Sequence, residues 1–438
     1  MRPRLAAAAT AVAALLCAAA PVGCGTGPGR PGDSHRLVYW ASNQGADLNA
    51  DRRILQPELE KFRRRTGIEV HLEVIPWSDL LNRILAAAAS GRGPDVVNIG
   101  NTWSASLQAT GALVPFDQAT LDRVGGRSHF LASSMASTGA PGKPPAAVPL
   151  YGLAYGLFYN RRLLARAGLR PPATWAELVA AGRRLTDPAA GRWGMAVQGA
   201  SYTENSHFAF IFGKQHGAAL FHGSTPDFAS PQMVAGVQQY VDLVGRDRIA
   251  DPSSAEYSND TPFIRAFATG RAAMVMLQSY GTTAIEADGM KRADYGVVPI
   301  PLPDPLPPGG RRVTSLVGGI NIAAMADSGN PDGALRLIGF MTGTEEQKIL
   351  NRAYGSLPVT PAAYDDPAFR TPVARTFQQV LATTSAPLPM IPEEAQFETL
   401  VGGAVQELLA TAAAGRTVDS SAIRARLAAA NSQMQTGV

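Results

Sequence analysis

The feature that most constrains the fold is a regular alternation of strand-like and helix-like segments that begins near residue 36. An apolar run at 37–40 (LVYW) is followed by a helical pattern over about 52–66, in which leucine and phenylalanine recur at helical spacing. Residues 69–75 (EVHLEVI) alternate as a strand does, and 95–99 forms a third strand after another helix. Repeats of this length predict an α/β fold with mostly parallel sheets, whose ligands bind at the carboxyl ends of the strands.

The length of the chain indicates more than one folding unit. The sequence has 438 residues, of which 46% are hydrophobic and 17% charged, a composition typical of globular proteins. An interval rich in proline and glycine at 139–149 separates the first α/β region from a second one. We therefore predict two lobes, the first made of 36–149 and about 280–340, and the second of 150–279 and about 341–435.

The N-terminal residues indicate export from the cytoplasm. Two arginines precede a short run of alanine, leucine and valine, which predicts a secretory signal peptide over 1–23. The end of this segment resembles a bacterial lipobox, although Pro21 stands where leucine is usual, and the resemblance implies that Cys24 receives lipid. Residues 24–35, rich in glycine and proline, would then be a tether. The alternative is an ordinary signal peptide in which Cys24 is incidental.

Sequence motifs of enzymes and of nucleic-acid-binding proteins are missing. The chain has no P-loop, H-E-x-x-H, G-x-S-x-G or S-x-x-K motif, and its six histidines do not have the spacing of metal ligands. A net charge of +4 without long runs of like charge argues against nucleic acid as a partner. We therefore predict no catalysis, no metal and no cofactor. Carboxylates that are distant in sequence could still meet in space, so a glycoside hydrolase remains an alternative.

Aromatic and amide side chains are frequent at the predicted strand ends and in the loops. Such residues suit a neutral hydroxylated ligand, because flat rings cover its C–H faces while amides and hydroxyls meet its OH groups. The most notable are Trp40, Asn43, Gln44, Asn101, Trp103, Tyr151, Tyr155, Tyr202, Asn205, Phe208, Tyr280 and Tyr354. The alternative interpretation is that several of them are core aromatic residues.

Residues 156–179 (GLFYNRRLLARAGLRPPATWAELV) place two helix starts close together. An aromatic strand ends at Asn160, and the short basic helix that follows stops at Gly168. Two prolines prevent this helix from continuing, and Thr174 with Glu177 predicts a capping box at the start of the next one. None of these residues looks catalytic, which indicates that the stretch belongs to the scaffold.

This stretch is one of several segments that occur in the order typical of a known family. The others lie at 93–97, 267–274, 295–299 and 340–358. Together they cover nearly the whole chain after the predicted signal, and the ordered set resembles the extracellular solute-binding proteins of ABC importers. The resemblance is to the carbohydrate-binding branch, which includes maltose- and glycerol-phosphate-binding proteins.

The resemblance implies a periplasmic-binding-protein-like clamp of two lobes joined by a hinge of several segments. In that arrangement the chain crosses between lobes near 149–150, near 278–279 and after about 340. A monomer anchored by lipid to the outer face of a bacterial cytoplasmic membrane would capture a sugar or sugar derivative in the cleft, with an oligosaccharide or amino sugar among the possibilities. It would deliver that ligand to the transmembrane subunits of an ABC permease.

The resemblance leaves alternatives open. The protein could be a secreted glycoside hydrolase or another sugar-modifying enzyme, or a cell-envelope lipoprotein that senses sugar without transporting it. A diester of the glycerol-phosphate type is the alternative ligand, although the cleft segments contain no cluster of arginines for a phosphate.

By position in the resembling segments, thirteen residues are implied in ligand binding. They are Asn43, Gln44, Asn101, Trp103, Tyr151, Tyr202, Glu204, Asn205, Ser279, Tyr280, Gly318, Gly319 and Tyr354. Gly318 and Gly319 would let backbone N–H groups approach the ligand. Glu204 and Asp47 are candidate partners for an amino group, which would suit an amino sugar.

Overall fold

The computed structural model describes residues 34–223 and 225–436, so the predicted signal peptide, Cys24 and most of the tether lie outside the described residues. In chain order, the strands and α-helices are β1 (Arg36–Ser42), α1 (Leu48–Thr66), β2 (Glu69–Ile75), α2 (Trp77–Ser90), β3 (Val96–Gly100), α3 (Ser104–Ala109), α4 (Gln118–Asp122), α5 (Ala132–Met135), β4 (Val148–Leu153), β5 (Tyr155–Asn160), α6 (Arg161–Arg166), α7 (Trp175–Leu185), β6 (Trp193–Ala196), α8 (Tyr202–Gln215), β7 (Phe221–His222), β8 (Thr225–Pro226), α9 (Pro231–Val241), α10 (Asp260–Ala268), β9 (Ala272–Gln278), α11 (Gly281–Ala287), β10 (Tyr295–Val298), β11 (Ser315–Leu316), β12 (Gly318–Ala324), α12 (Pro331–Met341), α13 (Thr344–Tyr354), α14 (Pro372–Thr383), β13 (Ser385–Ala386), α15 (Glu394–Ala413) and α16 (Ser420–Thr436). None of the described helices is long and apolar enough to cross a membrane.

Two mixed sheets form the centres of two lobes. The first has the order β2-β1-β3-β12-β4, in which β1, β2 and β3 are parallel and β12 runs antiparallel to both of its neighbours. The second has the order β10-β5-β9-β6, and only β6 and β9 are parallel. The α/β two-lobed fold that the sequence predicts is confirmed.

The prediction of mostly parallel sheets is wrong for the second lobe. A parallel pair needs a crossover connection within one sheet, usually a helix. Strand β5 instead enters the second sheet directly from β4 of the first, and it runs antiparallel to both of its neighbours, β10 and β9.

Helices cover both faces of each sheet. Along β1, Leu37 and Tyr39 pack into one apolar cluster, whereas Val38 and Trp40 face another on the opposite side. This alternation follows from the strand geometry, in which successive side chains point to opposite faces. The clusters of the second sheet are likewise separate, so each lobe has its own core.

The chain passes between the two sheets at three points. Ala154 alone separates β4 in the first sheet from β5 in the second. The return runs through Val317, because Leu316 packs in the core of the second lobe and Ile320 in that of the first. A third passage lies near Leu357, whose N–H and C=O exchange hydrogen bonds with Gly152.

The first passage follows 150–153, which the prediction assigned to the second lobe but which belong to β4 of the first sheet. The other passages differ from the predicted boundaries at two further places. Residues 295–298, which the prediction assigned to the first lobe, form β10 and pair with β5 in the second sheet. Helix α13, assigned to the second lobe, contributes Leu350 and Tyr354 to the apolar core of the first. Both differences have the same physical reason: strand pairing and core packing join residues far apart in sequence, and local patterns do not report such contacts.

The stretch at 156–179 has the predicted local structure. Gly168 adopts a φ of +66° after α6, a conformation that favours glycine. The Thr174 side chain accepts from the backbone of Glu177, and the Glu177 carboxylate accepts from the N–H of Thr174, which completes the capping box of α7. The Asn160 side chain caps α6. The scaffold interpretation of this stretch agrees with these contacts.

Candidate ligand-binding site

A cavity of about 750 Å³ lies between the two lobes. This volume falls within the range of small-molecule sites, about 300–1,000 Å³. Its first-lobe wall includes residues 43–48, 76–78, 100–102 and 318–320. The first three groups follow the carboxyl ends of β1, β2 and β3, where the alternating pattern predicts the ligand.

Two stacked tryptophans form the aromatic part of the first-lobe wall. The rings of Trp77 and Trp103 lie 4.4 Å apart with an interplanar angle of 25°. Trp103 is fully buried, whereas Trp77 is half-buried and lines the cavity. A Cβ at Gly100 would lie 3.0 Å from the Trp103 ring and 3.1 Å from the Trp77 ring, so glycine leaves room for the stack. Trp77 is therefore the tryptophan whose ring is available to a ligand in the cavity.

The loop after β1 is held by a buried carboxylate. Asp51 accepts hydrogen bonds from the Asn43 side-chain Nδ2 (2.6 Å) and from the backbone N–H groups of Gln44 (3.1 Å) and Gly45 (2.9 Å). Burial raises the pKa of Asp51, while these hydrogen bonds act in the opposite direction. Asp47 accepts from backbone N–H groups at the start of α1, so its carboxylate serves as a helix cap.

The first-lobe amides each donate at least one hydrogen bond to the protein. Asn43 donates to Asp51 and to the carbonyl of Gly45, Gln44 donates to the carbonyl of Asn43, and Asn101 donates to the carbonyl of Val317. Because these partners can only accept, the orientation of each amide is fixed. The side-chain oxygens of Asn43, Gln44 and Asn101 are thus left as acceptors on residues that line the cavity.

On the second-lobe side, Glu204 lies in the first turn of α8. Its Oε2 is 2.8 Å from the hydroxyl of Tyr155, which also lies 2.7 Å from Nδ1 of His207. Burial between the lobes raises the pKa of Glu204 to about 7; the charge of His207 lowers this pKa and that of Asp260 raises it further. Glu204 therefore exchanges a proton near neutral pH.

The polar chain continues from His207 into the first lobe. His207 Nε2 is 3.3 Å from Oε1 of Glu398, and the indole N–H of Trp103 donates to Oε2 of the same carboxylate at 2.8 Å. Burial raises the pKa of Glu398, but the hydrogen bonds from His207, Thr102 and Trp103 outweigh it, and the net pKa is lowered. An ionised carboxylate on α15 thus joins the tryptophan stack of one lobe to α8 of the other.

A second carboxyl group faces the cavity from the start of α10. Asp260 accepts a hydrogen bond from the Tyr280 hydroxyl at 2.7 Å. Burial raises the pKa of Asp260, and the hydrogen bonds from Tyr280 and Gln198 partly oppose the rise. Gln198 is buried and lines the cavity, and its Oε1 has no hydrogen-bond partner in the described part of the chain. Both second-lobe carboxyl groups therefore lie beside a tyrosine hydroxyl.

Eight of the thirteen residues implied by the resemblance line the cavity: Asn43, Gln44, Asn101, Tyr202, Glu204, Tyr280, Gly318 and Gly319. The other five are buried behind its walls: Trp103, Tyr151, Asn205, Ser279 and Tyr354. Tyr151 and Tyr354 pack against each other in an edge-to-face contact, and Asn205 donates to the carbonyl of Gly199. Trp103 contacts the site only through Trp77 and Glu398.

Sequence reasoning missed several residues that line the cavity: Trp77, Gln198, His207, Asp260 and Gln278. Trp77 could have been found, because it follows the end of β2 as Asn43 follows β1. Asp260 and His207 carry no comparable local signal, since their position depends on how α8 and α10 approach the second sheet. Within 34–223 and 225–436, no three His, Cys, Asp or Glu side chains come together to bind a metal ion.

Comparison with known proteins places the chain among binding proteins. Residues 45–348 match the family described as bacterial extracellular solute-binding protein. The maltotriose-binding protein of Pyrococcus abyssi (strain GE5 / Orsay) is 23% identical over 388 residues, which are 86% of this chain and 78% of that protein. The sn-glycerol-3-phosphate-binding periplasmic protein of Rhizobium meliloti (strain 1021) is 24% identical over 305 residues, 66% of this chain and 67% of that protein.

A solved structure shares the fold. Maltose-bound MalE3 of T. maritima superposes with a TM-score of 0.79 at 22% identity, over 92% of this chain and 100% of the other. Two lobes around an enclosed cleft, with three chain passages between them, define a binding protein of the two-lobed class. Since the family match covers more than half of the sequence, this chain belongs to the bacterial extracellular solute-binding proteins.

Proposed function

We propose that this protein is the solute-binding component of an ABC importer, and that it captures a sugar or sugar derivative between its lobes and delivers it to a membrane permease. The observation that carries the proposal is the combination, in one interlobe cavity, of an aromatic platform and many hydrogen-bond acceptors. Two relatives whose names specify maltotriose and glycerol-phosphate, and a maltose-bound structure with the same fold, support it.

The chemistry of the two walls suits a polyhydroxylated ligand. The half-buried face of Trp77 can cover the C–H face of a sugar ring. The oxygens of Asn43, Gln44 and Asn101 accept from hydroxyl groups on one side, and Glu204 and Asp260 accept on the other. A ligand held in this way contacts both lobes at once.

Enclosure by both lobes is required for useful affinity. Micromolar capture corresponds to about 8 kcal/mol, whereas each hydrogen bond contributes a net ~0.5–1.5 kcal/mol. One loop cannot provide that sum after the entropic cost of binding. Hinge rotation about Ala154, Val317 and Leu357, the three passages between the lobes, supplies contacts from both sides and excludes water.

The proposed location is the outer face of the cytoplasmic membrane. Its support is the N-terminal sequence, in which a predicted signal peptide over 1–23 leads to Cys24 and a tether. A single lipid chain gives marginal attachment and two give stable attachment, so we propose diacylated Cys24 and a monomer held near its permease. Cys24→Ser should release the protein from the membrane fraction; retention would contradict the anchor.

We propose that the cleft does not catalyse a reaction. The glycoside hydrolase alternative requires two carboxyl groups flanking the scissile bond. Glu204 and Asp260 are each hydrogen-bonded to a tyrosine. The other carboxyl groups that line the cavity are also engaged, because Asp47 caps α1 and Asp288 pairs with Arg265. Release of free sugar from an oligosaccharide by the purified protein would overturn this part of the proposal.

The glycerol-phosphate alternative draws support from the relative in Rhizobium meliloti. Two arginines, Arg53 and Arg265, line the cavity, but both are exposed, and Arg265 already pairs with Asp288. The interior positions carry Glu204 and Asp260, which repel a phosphate. A sugar is therefore the ligand that the cavity favours.

Isothermal titration calorimetry with a panel of neutral sugars, amino sugars and glycerol 3-phosphate tests the proposal. We expect at least one sugar to bind with a dissociation constant in the range of about 1 μM or below, and glycerol 3-phosphate to bind far more weakly. Absence of heat and of thermal stabilisation with every sugar would contradict carbohydrate binding. Tighter binding of glycerol 3-phosphate than of any sugar would favour the alternative.

A further inference from the structure

The carboxyl groups in the interior of the cleft have no cationic partner. Glu204 and Asp260 each accept a hydrogen bond from a tyrosine hydroxyl, a neutral group. In the described part of the chain, none of the lysines or arginines forms an ion pair with either carboxyl group. The charge that these two groups can carry is thus left for a ligand to neutralise.

His207, the nearest basic side chain, is already engaged. Its Nε2 faces the ionised, fully buried Glu398, and its Nδ1 is hydrogen-bonded to the Tyr155 hydroxyl. A proton on Nε2 is required, because a lone pair there would face a carboxylate oxygen. The charge of His207 lowers the pKa of Glu204, but the carboxylate in direct contact with this histidine is Glu398.

An unpaired acceptor lies beside the second carboxyl group. Gln198 is 6% exposed and lines the cavity, and its Oε1 has no hydrogen-bond partner in the described residues. Its amide donates to Asp260, which leaves the oxygen to a ligand. A buried acceptor without a donor is costly, and a bound donor removes that cost.

The opposite wall offers acceptors as well. The amide groups of Asn43, Gln44 and Asn101 donate to protein carbonyl or carboxylate oxygens, and their own oxygens remain free to accept. These oxygens therefore suit a ligand that is rich in donors. Hydroxyl groups meet this need on the neutral wall, and a charged donor meets it best beside two carboxyl groups.

We infer that the cleft selects carbohydrates that carry a protonated amino group, with the ammonium held between Glu204, Asp260 and the oxygen of Gln198. The inference rests on the proposed function and narrows its ligand class to amino sugars and their oligomers. Asp47, the partner that the sequence suggested beside Glu204, is exposed and accepts from the N-terminal turn of α1 instead. Asp260 takes its place.

Binding of such a ligand is linked to protons. The groups that face Glu204 are His207 on its own helix, Asp260 on α10, Glu398 on α15, Tyr155 on β5, and Tyr240 and Tyr280 from neighbouring segments. Burial raises the pKa of Glu204 to about 7, so part of the population is protonated at neutral pH. A bound ammonium favours the ionised form, and binding therefore releases a proton.

The first test compares probes that differ in one group. Glucosamine and its β-1,4-linked dimer and trimer carry ammonium groups, and the N-acetylated counterparts carry neutral amides of similar shape. Maltose and maltotriose serve as neutral references. At about pH 7.5 we expect the amino form of the best-fitting length to bind roughly tenfold or more tightly than its acetylated counterpart.

The second test removes the charges singly. Glu204→Gln and Asp260→Asn keep the shape and remove the negative charge, and we expect each to weaken the amino probe roughly tenfold or more while changing the maltotriose affinity far less. Asp187→Asn is the matched control, because Asp187 pairs with Arg192 at 2.8 Å and does not line the cavity. That control should leave both affinities unchanged.

A pH series separates this inference from a purely structural role of Glu204. Affinity for the amino probe should rise between about pH 5 and pH 7, where Glu204 ionises while the ammonium, like an α-amino group of pKa about 7.7–8.0, keeps its charge. Calorimetry in two buffers of different ionisation enthalpy should detect proton release. Both effects should disappear in Glu204→Gln.

The outcomes distinguish carbohydrate binding in general from selection of amino sugars. Tight binding of neutral sugars with weaker binding of their amino forms overturns this inference and leaves carbohydrate capture intact. Equal losses of neutral and amino probes in Glu204→Gln also overturn it, because charge would then not be the property selected. Failure of every sugar, neutral or amino, overturns both.

Discussion

At the scale of single residues, Trp77 and Trp103 divide two tasks between them. Trp77 is half-buried and faces the cavity, whereas Trp103 is fully buried beneath it and donates to Glu398. In this stack a ligand can contact the outer face of Trp77, and Trp103 packs against the inner face. The resemblance implied that Trp103 contacts the ligand. We propose instead that Trp103 supports Trp77, which contacts the ligand.

Substitution of the outer tryptophan should affect binding more than folding. Trp77→Ala removes the platform, and we expect it to weaken sugar binding by about 1–3 kcal/mol with a smaller change in the free energy of unfolding. Calorimetry and urea denaturation measure the two effects. Trp175→Ala, which removes a half-buried tryptophan packed against Phe212 away from the cavity, is the control and should leave affinity unchanged.

Substitution of the inner tryptophan, Trp103, should affect the free energy of unfolding more than Trp77→Ala does. Trp103→Ala opens a space in the core and leaves the buried Glu398 without one of its donors, so we expect a loss of about 3–5 kcal/mol in the free energy of unfolding. Equal stability of Trp103→Ala and wild type would contradict the assigned roles.

At the scale of elements, α15 contains a pair of glutamates that one helix turn separates. Glu394 and Glu398 are both fully buried, and neither oxygen of Glu394 has a hydrogen-bond partner in the described residues. Burial and the neighbouring charge of Glu398 raise the pKa of Glu394 well above its ordinary value. The helix packs on α8 and also contacts α3, so this pair lies where the lobes meet.

Glu394→Gln should therefore stabilise the protein at high pH. The raised pKa means that the folded state holds a proton that the unfolded state loses as pH rises, so Glu394 contributes less stability at higher pH. Glutamine mimics the protonated, uncharged form of this side chain. We expect thermal denaturation to show a gain that grows from about pH 5 to pH 8. Glu393→Gln, one residue earlier, is the control for the substitution itself.

The elements also show what the sequence could predict. The strands at 37–40, 69–75 and 95–99 have local patterns, and these place Asn43 and Asn101 at the cavity because the carboxyl ends of parallel strands share one edge. The capping box at Thr174 is likewise local. Periodicity alone reports neither the partner of a strand nor its direction.

Long-range contacts account for what the sequence missed. Trp103 and Glu398 meet across 295 positions, and β10 joins the second sheet by pairing with β5, more than a hundred residues earlier. Asp260 reaches the cavity only because α10 packs beside β9. A sequence pattern that spans a few helical turns does not report contacts between distant residues. A family resemblance indicates which residue positions lie near the site, but not where their side chains point.

At the scale of the whole molecule, the three passages between the sheets predict a hinge. Ala154 is the only residue between β4 and β5, and Val317 is the only residue between β11 and β12. We expect the radius of gyration, measured by small-angle X-ray scattering, to decrease when a sugar binds, because closure brings the lobes together. An unchanged radius with saturating ligand would argue for a rigid cleft. Trp77→Ala, measured at the same sugar concentration, should show less compaction.

The acidic groups of the interior also give the ligand-free protein a characteristic pH dependence. Burial raises the pKa of both Glu204 and Glu346 from 4.5 to about 7. Between about pH 4.5 and pH 7 the folded state therefore binds more protons than the unfolded state, and the free energy of unfolding should fall as pH rises. Glu398 has a lowered pKa, so its opposite contribution is lost only at lower pH.

The expected fall is on the order of a few kcal/mol between about pH 5 and pH 8, measured by urea denaturation of the ligand-free protein. The double variant Glu204→Gln with Glu346→Gln should make this fall smaller without abolishing it, since neither amide titrates but Glu394 still does. A saturating amino sugar should also make the fall smaller, because the ammonium stabilises ionised Glu204, whereas a neutral sugar should shift the whole curve without changing its slope in this way. A free energy of unfolding that stays constant or rises over this interval would contradict the assigned pKa directions.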